Sequence, residues 1–262
     1  MGQYDAVILA GGLSSGKLKK YAPFDNEALI VIGSYPMIYY VYRALRGSEQ
    51  IRKIVISGPG EAMQEIFKKE KDLFFAEPGE DSIDSFSNAL QVLEEQGATE
   101  NVLILPSDIP FITTSAIDDF IERCGELRAD FYYSIVERDT SESHFPGVKR
   151  TYVKMRDGVF TGGNLFAVRI AVVEDCLAVA KKLVARRKNP LALARLFGLG
   201  LAWKFLNGRL SIREAEDRFA GMLGITGRAV ISPFAEVGVD VDKPSDLKLA
   251  EEFLGPAFGP HM

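Results

Sequence analysis

The sequence predicts an α/β fold, a three-layer αβα sandwich around a mainly parallel, mixed sheet. Short apolar, β-prone runs alternate with helical stretches from the start of the chain through residue 136. The first run, residues 6–10, contains no polar residue, which is typical of a strand buried on both faces. It stops at Gly11-Gly12, and the turn after such a strand lies at the edge of the sheet where α/β proteins bind ligands.

The strands of this first part are short apolar runs that end at turn residues. The run that follows Arg52 closes at Gly58-Pro59-Gly60, and the run that ends at Leu105 closes at Pro106. A further apolar run, residues 28–32, ends at a Gly-Ser turn. We predict strands at about residues 4–10, 53–57, 73–76, 102–105 and 131–136.

The helices between these strands have recognisable start signals and apolar stripes. Pro36 suits the first position of a helix that runs to about Arg46, and a second helix follows Gly60 to about residue 71. Residues 82–96 form an amphipathic helix whose apolar face comprises Ile83, Phe86, Leu90 and Leu93. The next helix is expected to begin with a capping box formed by Ser115 and Asp118.

The alternation ends after residue 136. Residues 137–148 are polar and typical of a loop, and two strands are predicted at 151–155 and 164–169, joined by the turn Asp157-Gly158. Residues 172–224 have a helical pattern without strands, and a last strand near 237–241 precedes a helix at 244–254. We therefore predict a single domain over residues 1–262, with a helical insertion at 172–224.

Composition excludes several classes of function. The net charge of −5 disfavours a nucleic-acid surface, so a polyphosphate would have to bind through local cations, backbone amides or a metal. The chain has two cysteines, Cys124 and Cys176, which indicate neither a disulfide framework nor a zinc site. It has two histidines, His144 and His261, so histidine-based catalysis is poorly supported. The N-terminus lacks a signal-peptide pattern, so we expect a cytoplasmic protein.

The most apolar stretch, residues 190–206, is not expected to cross a membrane. It is slightly short for the hydrocarbon core, and it contains Arg195, Lys204 and two glycines. We expect helices that pack on the main domain. A homodimer contact and an apolar wall beside an acceptor are the alternatives.

The turn at Gly11-Gly12 is the first candidate binding element. Glycine adopts positive φ and has no Cβ to block a phosphate, so this loop could cradle a triphosphate, although an ordinary tight turn would look the same. Residues 11–18, GGLSSGKL, match the phosphate-loop pattern G-x-x-x-x-G-K, but Leu18 stands where a magnesium-binding hydroxyl is needed. The dinucleotide pattern G-x-G-x-x-G is absent from the sequence, which disfavours a dehydrogenase, and no Cys/His pairing points to a hydrolase.

Three carboxylates are the candidate metal ligands. Asp108 follows a predicted buried strand, where it could hold Mg²⁺ or, alternatively, cap the next segment. Asp240 and Asp242 alternate at a predicted strand end, so both could face the same cleft. Asp242 could instead compensate the dipole of the following helix. A metal site requires that Asp108 and Asp240 meet across this cleft.

Four motifs carry a resemblance to a known family. They are LAGG at residues 9–12, ALIVIGSYPMI at 28–38, Asp108 after its strand, and DVDKPSDL at 240–247. In this order they resemble the nucleotidyltransferases of the Rossmann-like, glycosyltransferase-A-like fold, in particular the molybdenum-cofactor guanylyl- and cytidylyltransferases. The sections KRTYV at 149–153 and TGGNL at 161–165 are similar to a bacterial branch of that family.

The resemblance implies a reaction and a set of binding residues. A phosphorylated acceptor would attack the α-phosphate of an NTP and release pyrophosphate, with Mg²⁺ as cofactor. The implied nucleotide contacts are Ala10, Gly11, Gly12, Ser85 and Asp108, and the implied metal ligands are Asp108 and Asp240, with Asp242 beside them. Ser85 could also be an ordinary helix residue. The implied acceptor residues are Lys149, Arg150, Gly163 and Asn164, although a glycine-rich turn and a solvated basic pair would give the same pattern.

One departure from the family pattern concerns charge. The family usually has an arginine soon after Gly-Gly and a lysine at the start of the second apolar run, where this chain has Glu27. A carboxylate cannot offset triphosphate charge, so we assign that role, and a catalytic one beside Asp108, to Lys17, which Lys19 and Lys20 closely follow. A non-catalytic nucleotide-binding protein and a nucleotide-sugar-dependent glycosyltransferase remain the alternatives.

Overall fold

The computed structural model describes residues 3–12, 16–68, 70–186 and 198–255. An eight-stranded sheet has the strand order β10-β7-β9-β6-β1-β4-β5, with β8 paired to β9, and β2 and β3 form a separate hairpin. The strands are β1 (Tyr4–Leu9), β2 (Val31–Ile32), β3 (Tyr35–Pro36), β4 (Ile51–Ser57), β5 (Leu73–Ala76), β6 (Asn101–Pro106), β7 (Phe131–Glu137), β8 (Val153–Met155), β9 (Gly158–Arg169) and β10 (Gly227–Ser232).

The sheet is mixed and mainly parallel, as predicted. Strand β1 lies at its centre and pairs in parallel with β4 and β6, while β4–β5 and β7–β10 are also parallel. Strand β9 runs antiparallel to both β6 and β7. The central residues of β1, Ala6, Val7 and Ile8, are fully buried, which explains their uninterrupted apolar sequence.

Helices cover both faces of this sheet and complete the three layers. Within the described ranges they are α1 (Met37–Arg46), α2 (Gly60–Ile66), α3 (Ser82–Glu95), α4 (Thr114–Leu127), α5 (Arg138–His144), α6 (Val173–Arg186), α7 (Leu199–Leu206), α8 (Ile212–Leu223) and α9 (Pro244–Leu254). One core cluster joins α1, α2 and α4 through residues such as Tyr42, Met63 and Phe120. A second cluster joins α3 and α6 through Phe86 and Cys176. Helix α2 ends before the predicted boundary.

The last predicted strand, residues 237–241, is wrong. Residues 235–238 form a 3₁₀ turn, and the chain then continues without pairing in the sheet. Val237, Val239 and Val241 are buried, although the backbone that carries them is irregular. Their alternation in the sequence therefore reflects the burial of every second side chain and not the pairing of a strand in the sheet. The last strand of the chain is β10, which pairs with β7 at one edge of the sheet and was not predicted from the sequence.

Two local predictions are also corrected. Residues 138–144 form helix α5 and not a loop, with an ion pair between Arg138 and Glu142 at 3.2 Å, one helical turn apart. Helix α4 is capped by Thr113, whose hydroxyl accepts a hydrogen bond from the N–H of Ala116, and not by Ser115.

The proposed insertion at 172–224 contains helices α6, α7 and α8, and the first part of the apolar stretch at 190–206, residues 190–197, lies outside the described residues. Whether this segment is an insertion stays a prediction. No helix in the described part of the chain is long and apolar enough to cross a membrane.

A buried carboxylate joins the amino ends of three neighbouring segments. The side chain of Asp5 is fully buried and accepts two hydrogen bonds from Arg52, at 3.1 and 2.9 Å. It also accepts hydrogen bonds from the N–H groups of Thr99, at 2.7 Å, and Lys53, at 3.2 Å. Strands β1 and β4 and the segment before β6 are therefore held together by one side chain.

We predict that Asp5→Ala lowers the free energy of unfolding by about 2–4 kcal/mol, because the N–H groups of Thr99 and Lys53 lose their buried acceptor, while the partly exposed Arg52 stays in contact with water. Urea unfolding followed by circular dichroism measures this change. Asp217→Ala is the control, since it removes an exposed ion pair with Arg213 and should cost under about 1 kcal/mol. Equal losses in both variants would contradict the prediction.

Candidate functional site

The candidate site lies where β1 and β6 end side by side. Leu9 and Pro106 are paired in register, and the N–H of Ser107 donates to the carbonyl of Leu9 at 3.1 Å. The loops that begin at Gly11 and at Ser107 therefore start from adjacent points at the carboxyl edge of the sheet. This is the arrangement that the sequence predicts for a ligand-binding edge.

The segment that carries Asp240 and Asp242 reaches the same edge. The N–H of Val241 donates to the main-chain carbonyl of Asp108 at 2.8 Å, and the Val241 side chain is fully buried. Its two neighbours in sequence are thereby held beside Asp108. A carboxylate oxygen from each of Asp108, Asp240 and Asp242 lies within 4.8 Å of the other two. The structure thus brings together the three residues that sequence analysis selected as metal ligands.

The surroundings of Asp108 disfavour its negative charge. The residue is half-buried, and its Oδ1 atom is buried and has no hydrogen-bond partner among the described residues. Burial raises the pKa of Asp108 to about 7, with further contributions from the negative charges of Asp242 and Glu27 and an opposing one from Arg150. An oxygen without a partner, surrounded by like charges, favours the arrival of a cation.

Arg150 lies among these carboxylates. Its Nη1 donates to Oδ1 of Asp240, and its Nη2 donates to the Asp240 main-chain carbonyl at 3.0 Å. Only 12% of the Arg150 side chain is exposed, and its Nε is buried without a partner among the described residues. Burial lowers the pKa of Arg150, while Asp246, Asp242 and Asp108 act in the opposite direction. Sequence analysis selected Arg150 for an acceptor phosphate and did not foresee this ion pair.

Leu18 explains why the phosphate-loop pattern is only partial. Its side chain is fully buried in a third apolar cluster, which also contains Val239 and Val241. A hydroxyl at this position would lie in the core and not at a metal. The buried Leu18 side chain thereby fixes its loop against the segment that carries Asp240. Lys17, the preceding residue in this loop, is exposed. Residues 13–15, between Gly12 and Leu18, lie outside the described residues.

The residues predicted to bind the nucleotide surround the end of β1. A Cβ on Gly11 would lie 2.4 Å from Cβ of Pro78 and 3.6 Å from Oγ of Ser85, so glycine is required there by close packing. Gly12 is exposed, and a Cβ built on it would have none of the described residues within 4 Å. Ser85 is buried at the start of α3, and its hydroxyl accepts a hydrogen bond from the N–H of Gly79 at 3.0 Å.

Asn26 is a site-building residue that sequence analysis missed. Its side-chain amide donates to the carbonyl of Ala10 at 2.8 Å, and its Oδ1 accepts from the N–H of Ala28 at 2.9 Å. The buried side chain therefore joins the end of β1 to the turn that carries Glu27, close enough for Glu27 to influence Asp108. An asparagine before a short helical turn is a common cap, and this signal could have identified it.

The predicted acceptor residues lie in different surroundings. Gly163 and Asn164 are inside strand β9 and do not form a turn. A Cβ on Gly163 would lie 2.2 Å from Oγ of Ser134, so strand packing alone accounts for this glycine. The amide of Asn164 donates to the carbonyl of Val237 at 3.1 Å and ties β9 to the segment before Asp240. Lys149 is exposed.

Comparison with known proteins identifies the family. The model of the MobA-like NTP transferase domain matches residues 6–195, which is more than half of the chain. The chain belongs to this family. The resemblance drawn from the sequence motifs is thereby confirmed.

Curated relatives of this NTP transferase domain are cytidylyltransferases. The 2-C-methyl-D-erythritol 4-phosphate cytidylyltransferase of Dictyoglomus thermophilum is 28% identical over 134 residues, which is 49% of this chain and 56% of that protein. The enzyme of the same name from Clostridium perfringens is 30% identical over 136 residues, 49% of this chain and 57% of that protein. The match thus spans little more than half the length of these relatives.

Solved structures agree with the fold of this family. A protein from Thermus thermophilus described as a hypothetical transferase has a TM-score of 0.79 at 34% identity, over 94% of this chain and 99% of that one. A CMP:2-keto-3-deoxy-manno-octonic acid synthetase, complexed with CTP, has a TM-score of 0.63 at 14% identity, over 98% and 100%. At that identity the second likeness concerns the fold alone.

A separate cavity of about 460 Å³ lies at the opposite edge of the sheet. It is lined by residues at the amino ends of β1 and β6, such as Tyr4 and Asn101, and by the end of α4. The carboxylates at the carboxyl edge do not line it, so it is not part of the candidate site.

The raised pKa of Asp108 predicts a pH-dependent cost to stability in the absence of metal. Between the ordinary pKa of about 4 and the folded value of about 7, the folded state holds a proton that the unfolded state has lost. Stability should therefore fall as the pH rises through this window. We predict that Asp108→Asn removes this loss, so that its melting temperature in EDTA exceeds that of the native protein more at pH 8 than at pH 5.

The exposed substitution Asp217→Asn serves as the matched control and should show no such difference between pH 5 and pH 8. If the melting-temperature difference for Asp108→Asn is the same at both pH values, the charge of Asp108 does not oppose folding.

Proposed function

We propose that this protein is a nucleotidyltransferase that transfers NMP from an NTP to a small phosphorylated acceptor, with Mg²⁺ as cofactor and pyrophosphate as product. The observation that carries the proposal is the group formed by Asp108, Asp240 and Asp242 at the carboxyl edge of β1 and β6, beside the Gly11-Gly12 turn. Membership of the MobA-like NTP transferase domain family supports the transferase part of the proposal. The names of the curated relatives, which specify a phosphorylated acceptor, support the second substrate.

The carboxylates fit Mg²⁺ by their chemistry. Magnesium prefers hard oxygen ligands and usually takes one or two carboxylates together with substrate phosphates. The unpartnered Oδ1 of Asp108 is such a ligand, with oxygens of Asp240 and Asp242 within 4.8 Å. When bound, the ion would offset charge on the phosphoryl oxygens.

The other residues have roles that follow from their positions. Gly12 leaves open space for a phosphate at the end of β1, where a side chain would obstruct close approach. Lys17 is exposed beside the carboxylate segment and is the proposed catalytic cation in place of the family lysine. Ser85 supports the loop before α3 and is proposed to face the nucleoside. Lys149 is the exposed candidate for the acceptor phosphate.

Glu27 favours one alternative, a nucleotide-binding protein without catalysis. Its charge acts on Asp108 at the position where the family pattern has a lysine, and it works against a bound triphosphate. Incubation with each NTP, Mg²⁺ and pooled phosphorylated metabolites, followed by pyrophosphate detection, separates the two. Pyrophosphate release supports transfer, whereas Mg²⁺-dependent NTP binding without release from any acceptor supports the alternative. A thermal shift with nucleotide sugars but none with NTPs would indicate a glycosyltransferase instead.

We predict that Asp108→Ala abolishes Mg²⁺-dependent NTP binding, because the proposed Mg²⁺ site would lose the carboxylate whose Oδ1 is buried and has no partner among the described residues. Isothermal titration calorimetry with each NTP, with and without Mg²⁺, measures this loss. The control Asp217→Ala removes an exposed carboxylate on α8 and should bind normally. Unchanged affinity in Asp108→Ala would mean that the metal is held elsewhere.

We predict that Lys17→Ala weakens NTP binding about 10- to 100-fold, which corresponds to the loss of one charge-assisted hydrogen bond of about 1.5–3 kcal/mol. The control is Lys19→Ala, since Lys19 lies in the same loop and pairs with Asp25 at 3.7 Å. Titration of NTP into both variants in the same buffer shows whether Lys17 makes a specific contact with the NTP or only adds to the positive charge of the loop. Equal effects in the two variants would remove the special role of Lys17.

A further inference from the structure

Arg150 occupies the place at which a metal ion would compete for Asp240. Its guanidinium binds Asp240 through both a carboxylate oxygen and the main-chain carbonyl, and little of the side chain is exposed. The same Asp240 carboxylate contributes an oxygen to the three-carboxylate group. The guanidinium and a divalent cation would therefore share a ligand, and their like charges repel at such short range.

The surroundings of Arg150 hold it in this place. Asp246 is buried at the start of α9, where Lys243 also approaches it at 3.5 Å, and its charge acts on Arg150 together with those of Asp242 and Asp108. In the ion-free protein one positive charge thus offsets part of the repulsion among three close carboxylates. A divalent ion can bind Asp240 fully only if this interaction is weakened.

A guanidinium displaced from Asp240 needs a new partner. Arg150 is mostly buried, its Nε already has no partner among the described residues, and an unpaired buried charge is costly. A phosphate is a suitable partner because its oxygens match the planar fork of arginine. A phosphorylated ligand in the cleft would stabilise the displaced arginine and so favour metal binding, and by linkage the metal would favour the phosphorylated ligand.

We propose that Arg150 is an internal counter-cation of the three-carboxylate group, which keeps divalent-metal affinity low until a phosphorylated ligand accepts its guanidinium. This inference rests on the metal site of the proposed function. It extends that proposal by making one side chain the link between metal binding and phosphate binding. Arg150 acts here as a positioning and coupling residue.

The test measures Mn²⁺ binding directly, with free Mn²⁺ followed by electron paramagnetic resonance in the absence of nucleotide. Arg150→Met should bind Mn²⁺ about tenfold more tightly than the native protein, since the competing charge is gone. The control Arg213→Met removes an exposed, ion-paired arginine on α8 and should leave the affinity unchanged. Added inorganic phosphate should tighten Mn²⁺ binding in the native protein and have no such effect in Arg150→Met.

Two further variants separate the possible failures. If Asp108→Asn binds Mn²⁺ as well as the native protein, the metal site of the proposed function is wrong. If Asp108→Asn loses binding but Arg150→Met matches the native affinity or falls below it, the metal site stands and the inference about Arg150 is wrong.

Arg150→Lys retains the charge without the planar fork, so it should fold even if Arg150→Met does not. It should have intermediate affinity and a reduced response to phosphate, and native behaviour in both would overturn the inference.

Discussion

The hydrogen bond from the Val241 N–H to the main-chain carbonyl of Asp108 is the constraint on which the site depends. It joins the end of β6 to the segment before α9, across a long sequence separation. Val239 and Val241 pack into the cluster that also holds Leu18, so the lysine-containing loop is fixed by the same apolar contacts. The buried side chains of Val239 and Val241 thus determine where Asp240 and Asp242 lie.

The cost of this arrangement is electrostatic. Three carboxylates lie within 4.8 Å, Glu27 adds a fourth negative charge nearby, and the central Asp108 is partly buried. Coulomb repulsion at such distances would separate free side chains, but here the packed backbone determines their positions. Arg150 offsets part of the repulsion from within the fold. A group of negative charges held close by packing is suited to a multivalent cation, which is why this edge of the sheet carries the functional proposal.

Sequence analysis succeeded where burial and chain connectivity leave one solution. Strand β1 was predicted because a strand buried on both faces must be apolar throughout, and helix α3 because its apolar stripe has a single period. The edge strand β10 was missed because one side of an edge strand is exposed, as at Ile231, and its pairing with β7 links distant parts of the chain. Helix α5 was missed because nearly all of its residues are polar, so the sequence shows no apolar stripe there. The ion pair between Arg138 and Glu142 is seen only in the structure.

The sequence by itself determined the fold class, the family and the residue types at the site, because buried strands and glycine turns impose local patterns that one chain displays directly. It also led to the expectation that Asp108 and Asp240 would meet, which the structure shows, although the segment before Asp240 is irregular backbone and not the predicted strand. Only the tertiary structure decided that Arg150 pairs with Asp240, that Leu18 is a core anchor and that Asn26 holds the end of β1. The physical reason is that each of these contacts joins side chains to distant backbone, and their energies depend on distances that no local pattern encodes.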